Sequence, residues 1–301
     1  MKIVSIAVYQ TYLPLVDGSY AWADGKSVSE YDSTVVIVAT DTGVSGVGEA
    51  VPLGPNYLPS YAAGVRAGIR ELGPRLIGED PTQLTVLNHL MDYHLKGHPY
   101  VKTALDMACW DILGKVTGLP VNTLLGGNFN PDGIPLYRAI SQGTPEAMAS
   151  TVRKYKDQGY SRFQLKLGGD PDTDIVRIKE CRRPLEDGDT LIGDSNTGWT
   201  SHQALRIALA VRDIDVYIEQ PCPTYKECLI VRQHTDLPFV LDEVVNDLHS
   251  LLVAHQDGAA DVVNIKISKF GGITKARQAL ELCRELGLAA TVEDTWGGDI
   301  T

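Results

Sequence analysis

Five short apolar runs in the middle of the chain each end on a carboxylate or an amine: FQLK at Lys166, TLIGD at Asp194, DVYIE at Glu219, PFVLD at Asp242 and DVVNIK at Lys266. The intervals between those end residues are 28, 25, 23 and 24 residues. One strand plus a returning helix fits that length, since a parallel crossover needs at least ~10–12 residues including its helix. A reactive residue at the C-terminal end of each successive strand is the layout of the active face of a (β/α) barrel. Three carboxylates flanked by two lysines are then expected to converge on one mouth.

Around this segment the chain divides in two. Residues 1–125 read as an α+β unit: KIVSIAVYQTYL, STVVIVATDTG and VSGVGEAV have strand character, and helical periodicity follows from Leu58 to Gly118. In its last helix Ala104, Leu105, Ala108, Ile112 and Leu113 recur at helical spacing, and Gly118 is placed to end it. Residues 126–133, GGNFNPDG, have the composition of a linker. From 134 to 301 strand and helix alternate, with strands predicted at 134–140, 162–167, 190–195, 215–220, 238–243, 261–268 and 289–295. Between the first two, Thr144 can cap a helix that Pro145 starts and Gly159 ends. The predicted fold class is therefore α/β, a modified TIM-like barrel with an N-terminal α+β capping domain. Seven strands are one short of a closed barrel, so the pattern predicts truncation before the last barrel unit. The stretch DGSYAWADGKSVSEYD in the cap reads either as an ordinary surface loop or as a lid holding Tyr20, Trp22 and Tyr31 over a substrate.

Composition excludes several classes. A formal net charge of -11 provides no basic field for nucleic acid or an anionic membrane. No segment reaches the ~18 apolar residues of a membrane span, and MKIVSIAVYQTYLPL lacks the pattern of an export signal. The five cysteines are scattered, odd in number and without CxxC spacing, which argues for reduced thiols in a cytoplasmic protein. DPDTD at 170–174 fails as a calcium loop because Ile175 and Cys181 stand where glycine and glutamate are required. GVSGVG at 43–48 is not a dinucleotide fingerprint and reads as a strand connection.

Asp194, Glu219 and Asp242 are hard oxygen donors on consecutive strands ~4.8 Å apart, suited to one Mg2+ with positions left for substrate. The absence of His and Cys among them argues against zinc or copper. Lys166 and Lys266 flank the triplet, and a lysine near a divalent cation has its pKa lowered toward that of a general base. A small-molecule carboxylate on the cation would lose its alpha proton to such a base and form an enediolate. Two bases on opposite faces allow racemisation or epimerisation; one base and one acid allow β-elimination. Asn196 is either a further contact in the mouth or a simple turn residue. Glu293, Asp294 and Trp296 supply either a carboxylate and an aromatic face for an ammonium group or a packed rim. Lys269, three residues past Lys266, is expected to face elsewhere.

The stretches LKLGG, GDSNTGW, YIEQP, VLDE and NIKISKFGG, in this order and spacing, resemble the enolase superfamily, in its mandelate racemase and muconate lactonizing enzyme group. The resemblance spans the whole chain. It implies a capping domain over a modified barrel, Asp194, Glu219 and Asp242 as Mg2+ ligands, Lys166 and Lys266 as paired bases, and a homo-oligomer. Many members carry KxK where this chain has Gln164-Leu165-Lys166, a departure that argues against amide substrates of the dipeptide-epimerase kind. QLKLGG, GHPYVKTALDMACWD and EDTWGGDI look more like the branch of 4-hydroxyproline betaine 2-epimerase and cis-3-hydroxyproline dehydratase. Substrate contacts are then expected from Gln164, Asn196, Glu293, Asp294 and Trp296, and from Tyr57 in the cap. EDTWGGDI favours an epimerase of a proline betaine or hydroxyproline, ahead of a dehydratase and of a non-catalytic metal-binding barrel.

Overall fold

The computed structural model describes residues 1–16, 18–127 and 133–301. Of the expected linker, residues 128–132 lie outside the described residues. Residues 3–50 form β1 (Ile3–Pro14), the two-residue strands β2 (Tyr20–Ala21) and β3 (Ser27–Val28), β4 (Glu30–Thr40) and β5 (Ser45–Ala50). β1, β4 and β5 build an antiparallel sheet in that order, and β2 pairs with β3 in a small hairpin. Along β4, Val36 and Val38 are buried while Val35, Ile37 and Ala39 are only half-buried, the two-residue period of a sheet with one covered face.

Helices α1 (Ala62–Leu72), α2 (Leu84–His94) and α3 (Pro99–Thr117) cover that face. A side chain on Gly46 or Gly48 would stand 2.0 Å from the carbonyl oxygen of Ala108 or Ala104, so β5 can lie directly on the α3 backbone only because both are glycine. The spacing in GVSGVG thus serves packing. α3 is buried almost all round, and it ends at Gly118 with φ +68 and its N–H on the Gly114 carbonyl, the cap its sequence announces.

After the short α4 (Val121–Leu124) come β6 (Arg138–Ile140), β7 (Arg162–Lys166), β8 (Thr190–Asp194), β9 (Tyr217–Glu219), β10 (Phe239–Leu241), β11 (Val262–Lys266) and β12 (Ala289–Glu293). These strands lie side by side in sequence order, all parallel, in one curled sheet. β6 is shorter than the apolar run predicted: Ile134 and Leu136 are exposed and pair with nothing in the sheet. The outer helices are α5 (Pro145–Lys156), α6 (Pro171–Arg182), α7 (Ser201–Ala210), α8 (Tyr225–Arg232), α9 (Leu248–Gln256) and α11 (Ile273–Leu286), with the single turn α10 (Ile267–Phe270) at the end of β11. Thr144 caps α5 as expected, accepting from Ala147 N, and Thr200 and Thr224 form capping boxes with Gln203 and Glu227. Phe163, Leu165, Leu191, Ile218, Phe239 and Val263 join the core shared with these helices. Strand alternation therefore turns Gln164 and Lys166 to the concave side.

The cap is tied to the barrel through α3. The buried Asp106 carboxylate accepts the Thr274 N–H at 3.0 Å, the Thr274 hydroxyl at 2.6 Å and the Asn88 amide at 2.6 Å. Trp110 Nε1 donates to the same Thr274 hydroxyl at 2.9 Å. Among the described residues no helix is long and apolar enough to cross a membrane.

Candidate active site

Lys166 stands opposite Asp194 in the β7–β8 register, and Asp194 opposite Glu219 in the β8–β9 register, so three of the expected residues share one level at the C-terminal edge of the sheet. Asp242 follows β10 directly, and Lys266 ends β11 opposite Glu293 of β12. All five chemically reactive strand ends are buried.

The side chains interlock. Lys166 Nζ donates to Asp194 Oδ2 at 2.5 Å. Lys266 Nζ donates to Asp242 Oδ2, to the Tyr57 hydroxyl at 2.6 Å, and pairs with Glu293 Oε1 at 3.2 Å. Glu219 accepts Gln164 Nε2 at 2.8 Å on one oxygen and Asn264 Nδ2 at 3.2 Å on the other. Lys269 also belongs here, contrary to expectation: its Nζ donates to Asp242 Oδ1 at 2.7 Å, to the Asp242 carbonyl at 2.6 Å and to the Asn264 carbonyl at 3.1 Å. The strand ends at Lys266 and α10 begins at Ile267, so a residue three positions on comes round with the helical turn instead of following strand alternation.

Burial, then the charges of Asp194 and Asp242, push the Glu219 carboxyl up to about 8. Burial and Asp242 push Glu243 up to about 7, and burial with Asp294 pushes Glu293 up to about 8. Burial disfavours charge on both strand-end lysines, yet Asp194 holds Lys166 and Asp242 holds Lys266 well above the ordinary lysine range. In the metal-free site the carboxylates that face the ammonium groups thus outweigh burial. Despite its own burial, Asp242 is held well below the usual carboxylate range by Lys266 and Lys269.

Among the described residues no three His, Cys, Asp or Glu side chains are grouped closely enough to hold an ion as they stand. The donor set nevertheless fits a hard cation. Three carboxylates sit in one buried layer, and Glu219 carries an excess of negative surroundings that a divalent ion would relieve. The oxygens of Asp194 and Asp242 already bind cationic groups, the lysine ammoniums. Buried Asn196 Oδ1, Glu243 Oε2 and Asn264 Oδ1 accept no hydrogen bond from the described residues, which leaves uncommitted acceptors around the same layer.

Above the carboxylates lies a cavity of about 100 Å³. Gln164, Asn196, Glu293, Asp294, Trp296 and Tyr57 all line it, together with Lys166 and Lys266. Asn196 reaches it from a left-handed turn (φ +42), where its N–H donates to Asp194 Oδ1 at 2.8 Å and its amide to Glu243 Oε1 at 3.0 Å. Tyr20, Trp22 and Tyr31 also face the cavity, with Trp296 stacked on Tyr31 at 4.4 Å between ring centroids. Trp22 and Tyr31 are buried, so this stretch is no ordinary surface loop, and Tyr31 belongs to β4 itself.

Sequence reasoning missed several members. Glu243 follows Asp242 and meets Asn196. Asn264, two residues before Lys266 on one face of β11, was signalled by a polar residue inside an apolar run. Gln220, at φ +37, accepts the Asp242 N–H at 2.9 Å. Asp174, dismissed as a calcium ligand, is fully buried and accepts from Gly168 N, Gly169 N and Trp199 Nε1, tying together the loops after β7 and β8.

Residues 147–301 match the family described as enolase C-terminal domain-like, and residues 23–126 match the mandelate racemase / muconate lactonizing enzyme N-terminal domain. A cis-3-hydroxy-L-proline dehydratase of Roseibium aggregatum is 52% identical over 300 residues, covering 100% of this chain and 82% of that protein. An N-succinyl-L-Arg/Lys racemase of Bacillus cereus is 32% identical over 298 residues, covering 97% of this chain and 79% of that protein. A crystal structure of an enolase-superfamily member from Roseovarius nubinhibens complexed with magnesium superposes with a TM-score of 0.91 at 39% identity, covering 98% of this chain and 80% of that one.

Proposed function

Since the chain belongs to the enolase superfamily, in its mandelate racemase and muconate lactonizing enzyme group, we propose that it removes the alpha proton of a proline-type carboxylate and dehydrates a cis-3-hydroxyproline. The observation that carries this reading is the placement of two lysine amines, Lys166 and Lys266, on separate strands lining one small cavity above three carboxylates. Asp194, Glu219 and Asp242 would hold a Mg2+, which when bound offsets the negative charge that builds on the substrate carboxylate as the proton leaves.

The work of the chain itself is proton handling. One lysine, as the free amine, takes the alpha proton and becomes ammonium. The C–H electron pair moves to expel the hydroxyl from the neighbouring carbon, and the other lysine, as ammonium, gives that hydroxyl a proton so that water departs. The product is an unsaturated ring acid that tautomerises to a cyclic imine. Tyr20, Trp22, Tyr31 and Trp296 close the cavity with aromatic surface and keep bulk water from the reacting carbon. The acidic pair Glu293 and Asp294 faces the same space and suits the ring ammonium of an amino acid.

Sequence motifs put epimerisation ahead of dehydration; identity of 52% over the whole chain to a dehydratase supports the reverse order. Epimerisation stands as the second reading, supported by the racemase relative and by the same two amines. Incubation with Mg2+ and hydroxyprolines or proline betaines in deuterated water separates the two. Dehydration yields a cyclic imine or keto acid, and epimerisation yields alpha-deuterated product with its ring substitution intact. Turnover that persists in both Lys166→Ala and Lys266→Ala would overturn the mechanism, whereas loss of turnover in both with Mg2+ still bound excludes the non-catalytic metal-binding barrel.

A further inference from the structure

Each lysine of the pair shares the cavity with a phenol from the cap. The Tyr57 hydroxyl accepts from Lys266 Nζ at 2.6 Å and donates to Asp242 Oδ2 at 3.2 Å. The ammonium lies 5.2 Å from the Tyr57 ring centroid, so it approaches the hydroxyl end-on and does not sit on the ring face. Tyr20 is the looser counterpart on the other side: it lines the same cavity as Lys166, whose ammonium is engaged by Asp194.

The two phenols come from unrelated segments, and both segments are fastened. Tyr57 sits in the loop between β5 and α1, its N–H and that of Leu58 on the Gly54 carbonyl at 3.1 and 3.4 Å. Tyr20 starts the β2–β3 hairpin, which is docked on the barrel by Ala21 N to Ser141 Oγ at 2.8 Å and Gln142 N to the Ala21 carbonyl at 2.9 Å. Neither phenol is free to swing with a mobile loop tip.

The remaining partners of the lysines are carboxylates, and a carboxylate is a poor holder for a base. It favours the ammonium, and Asp194 and Asp242 would turn their oxygens to a cation. A phenol differs because it accepts a hydrogen bond from an ammonium and equally from an amine N–H. The lone pair of the amine, or the N–H that takes its place in the ammonium, then stays directed at the substrate without a counter-charge. A flexible four-carbon stem otherwise loses the near-attack geometry that proton transfer requires.

We propose that Tyr57 and Tyr20 are positioning residues, each holding one of the paired lysines, Lys266 and Lys166 respectively, by its hydroxyl while that lysine exchanges protons with substrate. This rests on the proton-abstraction reading above, but one of its tests does not. A crystal structure of the protein with Mg2+ alone should show Lys266 Nζ still hydrogen-bonded to the Tyr57 hydroxyl and Lys166 Nζ, released by Asp194, within hydrogen-bond distance of the Tyr20 hydroxyl. Lysines that leave the phenols in that structure overturn the proposal whatever the substrate is.

The second test uses Tyr57→Phe and Tyr20→Phe, which keep the rings. Alpha-deuterium exchange is followed separately from the L and D forms of a proline carboxylate, and Lys166→Ala and Lys266→Ala identify which form each lysine serves. Tyr57→Phe should slow exchange from the form that Lys266 serves by about 10- to 100-fold, with KM and the other form little changed. Tyr20→Phe should show the converse. Equal slowing of both forms, or a raised KM at unchanged kcat, would make the phenols part of the general packing or of substrate binding and overturn the assignment. Failure of wild-type protein to exchange any proline carboxylate refutes the proposed function, while the Mg2+ structure still decides the role of the phenols.

Discussion

Gln164 in β7 holds Glu219 in β9 across the intervening strand, Nε2 to Oε2 at 2.8 Å. With Asn264 on the other oxygen at 3.2 Å, the carboxylate is oriented by two neutral amides. An amide orients a carboxyl group without supplying a counter-charge, so the negative charge of Glu219, once its proton is displaced, is left for a cation. Gln164→Leu removes one donor at nearly constant volume. Outer partners of this kind are worth roughly 10–100-fold in metal affinity, and a buried acceptor left unpaired costs about 1–3 kcal/mol. Titration calorimetry with Mg2+ and urea unfolding should show both losses. Unchanged Mg2+ affinity in Gln164→Leu would place Glu219 outside the metal site.

The same buried acids set the pH dependence of the metal-free protein. Glu219 and Glu293 are raised to about 8 and Glu243 to about 7, chiefly by burial, against about 4.3 for glutamate in an unfolded chain. Between those limits the folded state keeps protons that the unfolded state has lost, so stability falls as pH rises. The contribution is complete below about pH 4 and disappears through pH 7 to 8, the folded values. Asp242 shifts the other way and titrates below this window. Metal-free protein should therefore resist urea better at pH 5.5 than at pH 8, and Mg2+ should bind more tightly at the higher pH because it displaces a proton. A metal-free stability that rises across this interval contradicts the assignment.

How far the sequence announces this site depends on the range of the interaction. The strand ends from Lys166 to Lys266 are legible because a βα repeat has a nearly fixed length. That alternation misplaces Lys269, since the strand gives way to α10 one residue after Lys266. Tyr57 is 209 residues from Lys266, and no local period connects them. Glu243 is hidden for another reason: it follows Asp242 and would be assigned to the opposite face of a strand, but β10 ends at Leu241 and the chain turns. Family resemblance reached the fold and the order of the reactive residues, whereas the lysine–phenol contacts depend on how the cap sits on the mouth.

That seating depends on Gly272. At φ +126 its added Cβ would come within 2.5 Å of Asp106 Oδ2 and 2.7 Å of Asp106 Cβ. Gly272→Ala therefore combines backbone strain with overlap against the carboxylate that joins α3 to α11, and should cost about 2–4 kcal/mol. Asp106→Asn keeps the volume but replaces one of the two acceptor oxygens by a donor, which then faces either the Thr274 N–H or the Thr274 hydroxyl with the Asn88 amide, and should cost about 1–3 kcal/mol. Urea unfolding followed by tryptophan fluorescence reads both, since Trp110 lies in the joint. A Gly272→Ala protein as stable as wild type would mean that cap and barrel meet differently.

Lys269 tests whether every buried amine here is catalytic. Its ammonium is enclosed by the Asp242 carboxylate, the Asp242 carbonyl and the Asn264 carbonyl, and unlike Lys166 and Lys266 it does not line the cavity. Burial lowers its proton affinity and Asp242 opposes that fall, the balance of a structural counter-ion. Lys269→Met leaves Asp242 with one ammonium in place of two and three oxygens short of a donor. Breaking a buried pair in this way costs about 3–5 kcal/mol. Because the variant leaves Asp242 with less compensating charge, saturating Mg2+ should restore part of that stability, about 2.7 kcal/mol at a hundredfold excess over Kd. Once Mg2+ is bound, alpha-proton exchange should survive at a measurable fraction of wild type. Lys266→Met should behave in the opposite way, losing exchange from the form that Lys266 serves while Mg2+ still binds. Complete loss of exchange in a folded, Mg2+-loaded Lys269→Met protein would instead make Lys269 a third proton-transfer group.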